Sequence, residues 1–356
     1  MAERKRKAEV MTNTSSSKKN ICRLAVMLGF VVLVGILHVQ IAVALGTPAL
    51  SAIDRTRLAE TFRLAERIED RIWPNWSKAP FAVLLVTPEY EFLIRHPNPS
   101  SDFTSLGYDP VLKSNVHYRR RTYSPHFLAT FPAVGGISTI VVGQAENTTA
   151  KTSTPWVVTL LHEHFHQLQD SQPNFYADVN ALNLSRGDQT GMWMLNYAFP
   201  YERDDVQKQF ERMSLGLTAA LTSPRSGRGS NVEAYLEARR KFQQLVSADD
   251  NKYWEFQLWK EGIARYTEYQ SAHLAAAAYR PSKEFRALQD YRLYREVARE
   301  LREGIMRQLQ TQKLAESKRE VVYSIGAAEG LLLDQINPHW KQEYFVKKFD
   351  LGGSFR

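Results

Sequence analysis

The segment from Trp156 to Leu168 is apolar on nearly every side, yet it contains His162, Glu163 and His166. Large apolar residues occur throughout it, which predicts a buried helix rather than one with a solvent-exposed face. Imidazole and carboxylate groups are costly to bury without partners. The fold must therefore place polar or charged partners beside these side chains. This requirement limits the folds that the chain can adopt.

The limits of this helix follow from the residues at its ends. Thr154 is the predicted N-cap, and Pro155 fits the first helical position, where the missing N–H of proline costs nothing. Because Pro173 cannot continue a helix, the end is predicted near Asp170.

The spacing of the two histidines points to a metal. His162 and His166 are four residues apart, so their rings lie on one face of the helix and can share an ion. The pattern H-E-x-x-H is typical of zinc hydrolases, in which the glutamate, here Glu163, acts as general base toward a zinc-activated water. His164 points to another side and is predicted to pack or to form hydrogen bonds. The alternative is that His162 and His166 are ordinary core histidines.

A catalytic zinc ion usually has three protein ligands. A further histidine six residues beyond His166 is excluded, because Gln172 stands there. The predicted third ligand is Glu261, since the small residues Gly262 and Ala264 would let its helix approach the motif helix closely.

Two alternatives concern this third position. Glu261 could instead pair with Arg265 on a solvated helix face. Glu268 lies seven residues after Glu261 on the same face and is the reserve ligand.

These residues resemble the gluzincin metallopeptidases, the thermolysin-like superfamily. In that group a downstream helix carrying E-G-x-A, here residues 261–264, donates the third ligand, and Val or Thr, here Thr159, stands three places before the first histidine. The resemblance covers about ten residues of the motif helix and about eight around Glu261. It implies one zinc ion (Zn2+) per chain, bound by His162, His166 and Glu261.

The resemblance also implies a Tyr or His that stabilises the oxyanion formed on the substrate. Tyr323 is the candidate, because the small residues that follow it predict a closely packed helix. A tyrosine on an ordinary core face is the alternative interpretation. His273 and His339 are weaker candidates for the same role.

A strand is predicted at 137–142, just before the motif helix. In gluzincins an edge strand in this place binds the substrate backbone, so the resemblance implies a substrate-binding strand here. The alternative is a central structural strand.

The pattern along the chain predicts an α+β fold. A small N-terminal lobe with a mixed β-sheet, residues 47–152, would precede a mainly helical lobe, residues 153–356, with the active-site cleft between them. The first lobe has a predicted helix at 53–72 and predicted strands at 81–86, 92–94, 116–123 and 137–142. The second has predicted helices at 155–170, 204–221, 231–247, 250–279, 283–317 and 320–336.

The first 46 residues indicate where in the cell the rest of the chain is located. Residues 1–23 are basic, and residues 24–46 contain no charged side chain and are long enough to span a bilayer. The stretch Ala42–Ala44 also suits cleavage of a signal peptide. Either outcome predicts that the rest of the chain is extracytoplasmic, membrane-anchored or secreted.

Charge and cysteine content narrow the possible partners. The first 46 residues hold seven basic and two acidic side chains, so the net charge of +8 falls to +3 without them. This near-neutral remainder predicts no nucleic-acid partner. The single cysteine, Cys22, leaves the remainder without a disulfide or a thiolate metal site.

These features together predict an extracytoplasmic zinc metallohydrolase. The preferred interpretation is a peptidase that acts on peptides or proteins. A zinc hydrolase of a non-peptide substrate is one alternative. A catalytically silent envelope protein with a gluzincin fold is the other.

Overall fold

The computed structural model describes residues 48–355. The predicted basic region 1–23 and the predicted signal or anchor segment 24–46 lie outside them. Among the residues that are described, no helix has both the length and the apolar character needed to cross a membrane.

A six-stranded mixed sheet occupies the first part of the described chain. Its order is β3-β4-β2-β1-β6-β5, with β1 parallel to β6 and every other neighbouring pair antiparallel. The strands are β1 (Val83–Val86), β2 (Tyr90–Ile94), β3 (Thr104–Asp109), β4 (Ser114–Arg120), β5 (Leu128–Val134) and β6 (Ile137–Gly143).

The central strands are buried on both faces. In β1, Val83 and Leu85 pack into the main core with the helices, whereas Leu84 and Val86 join a smaller apolar cluster on the opposite face. This explains why β1 is continuously apolar rather than alternating. Phe103, Tyr123, Phe127 and Phe131 pack against that smaller cluster.

The predicted substrate strand is not at a sheet edge. β6 is hydrogen-bonded to β1 on one side and to β5 on the other, so the expectation of an edge strand at 137–142 is wrong and the structural alternative is correct. The edge strand beside it is β5, which the sequence analysis does not predict. Pro132 interrupts its strand pattern, and proline is tolerated in sheets mainly at edges.

The described residues contain thirteen α-helices, one before the sheet and twelve after it. They are α1 (Ala52–Ile72), α2 (Ser153–Asp170), α3 (Phe175–Ala181), α4 (Trp193–Asn196), α5 (Asp204–Thr222), α6 (Arg228–Leu245), α7 (Ala248–Gln257), α8 (Ile263–Ala278), α9 (Lys283–Arg286), α10 (Tyr294–Thr311), α11 (Leu314–Ser317), α12 (Val321–Ile336) and α13 (Trp340–Tyr344).

Two predicted helices are divided. The one at 250–279 consists of α7 and α8 joined by a π-helical segment, Leu258–Gly262. The one at 283–317 consists of α9, α10 and α11, because a turn follows α9 and the extended residues Gln312 and Lys313 separate α10 from α11. The helical spacing of apolar residues continues across these interruptions, which is why the sequence predicts single helices.

The start of α2 differs from the prediction. The helix begins at Ser153 rather than Pro155, and Thr152 is its N-cap. The hydroxyl of Thr154 donates a hydrogen bond to the carbonyl of Arg292 instead of capping the helix. The predicted end at Asp170 is confirmed.

The α+β fold class is confirmed: a mixed sheet precedes a mainly helical region. α1 packs against α2 and α8, and one continuous apolar core includes residues from the sheet and from the helices. This core holds α2 between the sheet and the later helices, which is where the polar residues of the motif must find partners.

Candidate metal centre

Helix α2 presents His162 and His166 toward Glu261. Nε2 of His166 lies 3.4 Å from Oε2 of Glu261, and Nε2 of His162 lies 3.9 Å from the same oxygen. One ligand atom from each of the three residues lies within 4.8 Å of the other two. The three predicted ligands are therefore brought together, although Glu261 lies 95 positions after His166 in the sequence.

The donor set and its spacing suit zinc. Two nitrogen or oxygen donors that each lie about 2.0–2.1 Å from a tetrahedral zinc ion are roughly 3.4 Å apart. The distances to Glu261 are close to this value, and all three ligand atoms lie within 4.8 Å of one another, so shifts of the side chains alone would complete the coordination. Two imidazoles and one carboxylate leave one position open, as in catalytic sites.

The outward nitrogen of His166 has a fixed partner. Its Nδ1 lies 2.7 Å from Oε1 of Gln169. The amide nitrogen of Gln169 donates to the carbonyls of Trp259 and Lys260, so Oε1 must be the acceptor. Nδ1 of His166 therefore carries a proton, which leaves Nε2 as the nitrogen that would bind a metal ion.

The outward nitrogen of His162 faces Glu268. Nδ1 lies 3.3 Å from Oε2 of Glu268, without the alignment of a well-formed hydrogen bond. Glu268 in turn forms a 2.7 Å ion pair with Arg265. Glu268 is thus on the far side of the ring from the ligand atoms and does not take the place of Glu261.

Glu261 belongs to the π-helical segment Leu258–Gly262. Such segments are rare and are frequent at functional sites. Arg265 does not pair with Glu261, so the solvated-helix alternative is wrong. Although burial raises the pKa of Glu261, the charge and hydrogen bond of His166 and the charge of Arg319 outweigh it, and the pKa lies well below its ordinary value.

Gly262 does not have the role that the sequence suggests. It faces α12 rather than α2, and a Cβ atom there would lie 2.5 Å from Cα of Gly326. The small residues after Tyr323 do pack closely, as predicted, and their partner is this segment. The close approach that places Glu261 is therefore made to α12.

Glu163 is held by the sheet. The hydroxyl of Thr130, on edge strand β5, donates to Oε2 of Glu163 at 2.7 Å. Burial raises the pKa of Glu163 above its ordinary value, while the charge of His162 and the hydrogen bond from Thr130 act in the opposite direction. The candidate base thus lies where the sheet meets the helices.

Tyr323 lies beside the ligands. Its ring is stacked on that of His162, with centroids 6.3 Å apart, and Arg319 donates to its hydroxyl at 3.3 Å. Burial and the charge of Glu261 raise the pKa of Tyr323 well above its ordinary value, so the hydroxyl keeps its proton and can donate it in a hydrogen bond. His273 and His339 are both exposed; the ring of His273 stacks on Tyr269, and the backbone N–H of His339 donates to Asn337.

His164 packs away from the ligands, as predicted. Its ring is stacked on Phe81 with centroids 3.7 Å apart, and Nδ1 lies 2.9 Å from Oε1 of Gln167. Its Nε2 is 3.4 Å from a carboxylate oxygen of Glu69. These contacts satisfy its polar atoms within the core.

Comparisons with known proteins give no support to any particular family. No family model matches this sequence, and neither the curated proteins nor the solved structures contain a significant match.

Three residues of the site have functional positions that sequence reasoning does not assign. Gln169 lies three residues after His166, so the helical period alone could have placed it next to that ring. Arg319 is four residues before Tyr323, but it precedes the predicted helix. Thr130 gives no local signal, because its strand is not predicted.

Replacing Gln169 with leucine is expected to weaken zinc binding about 10- to 100-fold, the range found when the hydrogen-bond partner of a ligand is removed. The cause is that the His166 ring loses the partner that fixes its orientation. Competition against a chelator of known affinity measures the effect. Gln172→Leu is the matched control, since Gln172 bonds only within its own helix turn. Equal affinities for both variants would contradict the assignment.

Proposed function

We propose that this protein is a zinc-dependent metallohydrolase of gluzincin type that cleaves peptides. The observation that carries the proposal is the convergence of His162, His166 and Glu261, with the outward nitrogens of both rings facing partners of their own. Buried imidazoles with this arrangement are typical of metal ligands. When bound, zinc supplies the Lewis acidity that activates water and polarises a carbonyl group.

The residues around the ligands have positions that suit hydrolysis. Glu163 accepts the proton of the attacking water and passes it to the leaving amine. The hydrogen bond from Thr130 holds its carboxylate in place. The hydroxyl of Tyr323 donates a hydrogen bond to the oxyanion, and Arg319 orients that hydroxyl.

Edge strand β5 supports a peptide as the substrate. One side of β5 pairs with β6, so the other side presents backbone N–H and C=O groups to which an extended peptide can add. Thr130 lies on this same strand and contacts Glu163. A peptide paired with β5 is therefore brought next to the candidate base.

Two measurements on the purified full-length protein test this proposal. Elemental mass spectrometry after exhaustive dialysis is expected to find about one zinc ion per chain. Glu261→Ala is expected to lose that zinc, because it removes one of three ligands. Glu303→Ala, on the exposed side of α10, is the control and should keep it. An unchanged zinc content in Glu261→Ala would exclude Glu261 as a ligand.

A library of internally quenched peptides then tests the reaction. Zinc-dependent cleavage supports the peptidase. Zinc binding with hydrolysis of esters or non-peptide amides alone would replace it with a hydrolase of another substrate class. Zinc binding without any hydrolysis would favour a catalytically silent protein.

A further inference from the structure

Arg319 is a partly buried cation at the edge of the metal centre. Its side chain is 16% exposed and lies in a short 3-10 turn, Lys318–Glu320, directly before α12. Nη1 is 3.8 Å from Oε1 of Glu261, and Nη2 donates to the hydroxyl of Tyr323. Its guanidinium group is therefore next to both a candidate ligand and the candidate oxyanion donor.

The contacts of Arg319 are all long. Its nitrogen atoms are 3.3 Å from the nearest oxygens of Gln257 and Tyr323, 3.5 Å from Glu320 and 3.8 Å from Glu261. In contrast, three other arginines whose side chains are at most 15% exposed each have a carboxylate oxygen within 2.8 Å. These are Arg57, Arg119 and Arg239.

The neighbouring cations are better neutralised. Arg265 forms a 2.7 Å ion pair with Glu268, and Lys260 forms one of the same length with Asp170. The carboxylate nearest to Arg319 in sequence, Glu320, is 64% exposed. Glu261 has its other oxygen directed at the two histidines. The positive charge of Arg319 is thus the least compensated among these three.

The backbone before Arg319 is strained. Lys318 has φ 46° and ψ −124°, a conformation that residues with a Cβ atom rarely adopt. Strain of this kind persists only where the surrounding structure imposes it, and it is frequent at ligand sites. Here it directs the chain from α11 into α12 at the residue that carries the guanidinium group.

The N–H groups of Arg319 have no close acceptor among residues 48–355, and its guanidinium group is poorly solvated, so binding of an anion is favoured. The planar pair of N–H groups matches the geometry of a carboxylate. We propose that Arg319 binds a carboxylate of the substrate close to the bond that is cleaved. The substrates are then peptides that carry a carboxylate close to the cleaved bond, supplied by a free C-terminus or by an Asp or Glu side chain. This inference rests on the proposed function, because it places the substrate at the same metal centre.

A matched pair of zinc-binding probes tests the inference without requiring turnover. Succinic acid monohydroxamate has a hydroxamate that chelates zinc and a carboxylate at its other end, and its amide analogue differs only in that carboxylate. The zinc-loaded protein is expected to bind the acid about 10- to 100-fold more tightly than the amide, the range for a charge-assisted hydrogen bond. Isothermal titration calorimetry measures both dissociation constants.

Variants assign the preference to one residue. Arg319→Gln should bind acid and amide equally, and Arg319→Lys should keep part of the preference, since it retains the charge but loses the fork. Lys318→Gln removes the adjacent, exposed cation and should keep the full preference. Equal binding of both probes by the unaltered protein, or an unchanged preference in Arg319→Gln, would overturn the inference alone. A protein that holds no zinc would overturn the proposed function and the inference with it.

Four peptides of one sequence identify the source of the carboxylate. They combine a free or amidated C-terminus with Glu or Gln beside the scissile bond. A preference for the free C-terminus or for Glu supports the inference and names the source. A loss of kcat/KM by the same factor for all four peptides in Arg319→Gln, with the preference among them unchanged, would limit Arg319 to orienting Tyr323 and overturn the inference.

Discussion

Replacing Glu163 with glutamine is expected to leave zinc binding nearly unchanged and to lower kcat for peptide hydrolysis about 10²- to 10⁴-fold, the contribution of a general base. Glutamine has almost the same shape, and its amide oxygen can still accept the hydrogen bond from Thr130. It cannot take a proton from water. The change therefore removes the chemistry and keeps the packing.

Zinc content and steady-state kinetics on the same preparation separate these two effects. Glu69→Gln is the matched control, since Glu69 is also a buried glutamate beside a histidine of α2, but it contacts His164 on the face away from the ligands. Its kcat should remain close to that of the unaltered protein. Full activity in Glu163→Gln would disprove the mechanism even if the zinc site is correct.

Replacing Gly262 with alanine is expected to lower both the free energy of unfolding and the affinity for zinc. The new Cβ atom would lie 2.5 Å from Cα of Gly326 and 2.8 Å from the carbonyl oxygen of Val322. These are backbone atoms, so α12 and the π-helical segment must move apart as units. Overpacking of this kind costs about 1–3 kcal/mol, and Glu261, the adjacent residue, must move with the segment.

Thermal unfolding of the metal-free protein and a zinc titration measure the two consequences separately. Gly304→Ala is the matched control, because no atom lies within 4 Å of the added Cβ in α10. It should be neutral or stabilise the protein by up to about 1 kcal/mol, since alanine is the better helix former. If Gly262→Ala resembled Gly304→Ala in both measurements, the contact between the two glycines would not be what positions Glu261.

The parts of the site that lie within one helix were predictable. His162, Glu163 and His166 are placed by a period of 3.6 residues, so their relation is decided before any tertiary contact forms. The packing of His164 on another side of α2 follows from the same period. Gln169 was also within reach, since it lies one turn beyond His166.

The route to Glu261 shows the limit of local reasoning. Small residues around it correctly indicate a close helix contact, but they do not say with which helix. The sequence suggests α2, whereas Gly262 meets Gly326 of α12. Small residues indicate that a position has little space around it. Only the fold decides which segment packs against that position.

The strands illustrate the same point. β1, β2 and β6 have apolar patterns and were predicted, as was the more polar β4, whereas β3 is largely exposed and β5 contains a proline. Strand order depends on hydrogen bonds between distant segments, so the apolar pattern along the chain does not show that β5, and not β6, lies at the edge. The contact between Thr130 and Glu163 depends on that order.

By itself, the sequence determined the α+β class, the buried motif helix and the residue types from which a zinc site can be built, because these depend on periodicity, hydrophobicity and side-chain chemistry. Only the tertiary structure decided that Glu261 joins the two histidines, that Glu268 faces the outward nitrogen of His162, and that Arg319 lies beside them with its charge poorly compensated. These relations join residues far apart in the chain. They are set by how helices and strands pack, and no local pattern encodes that packing.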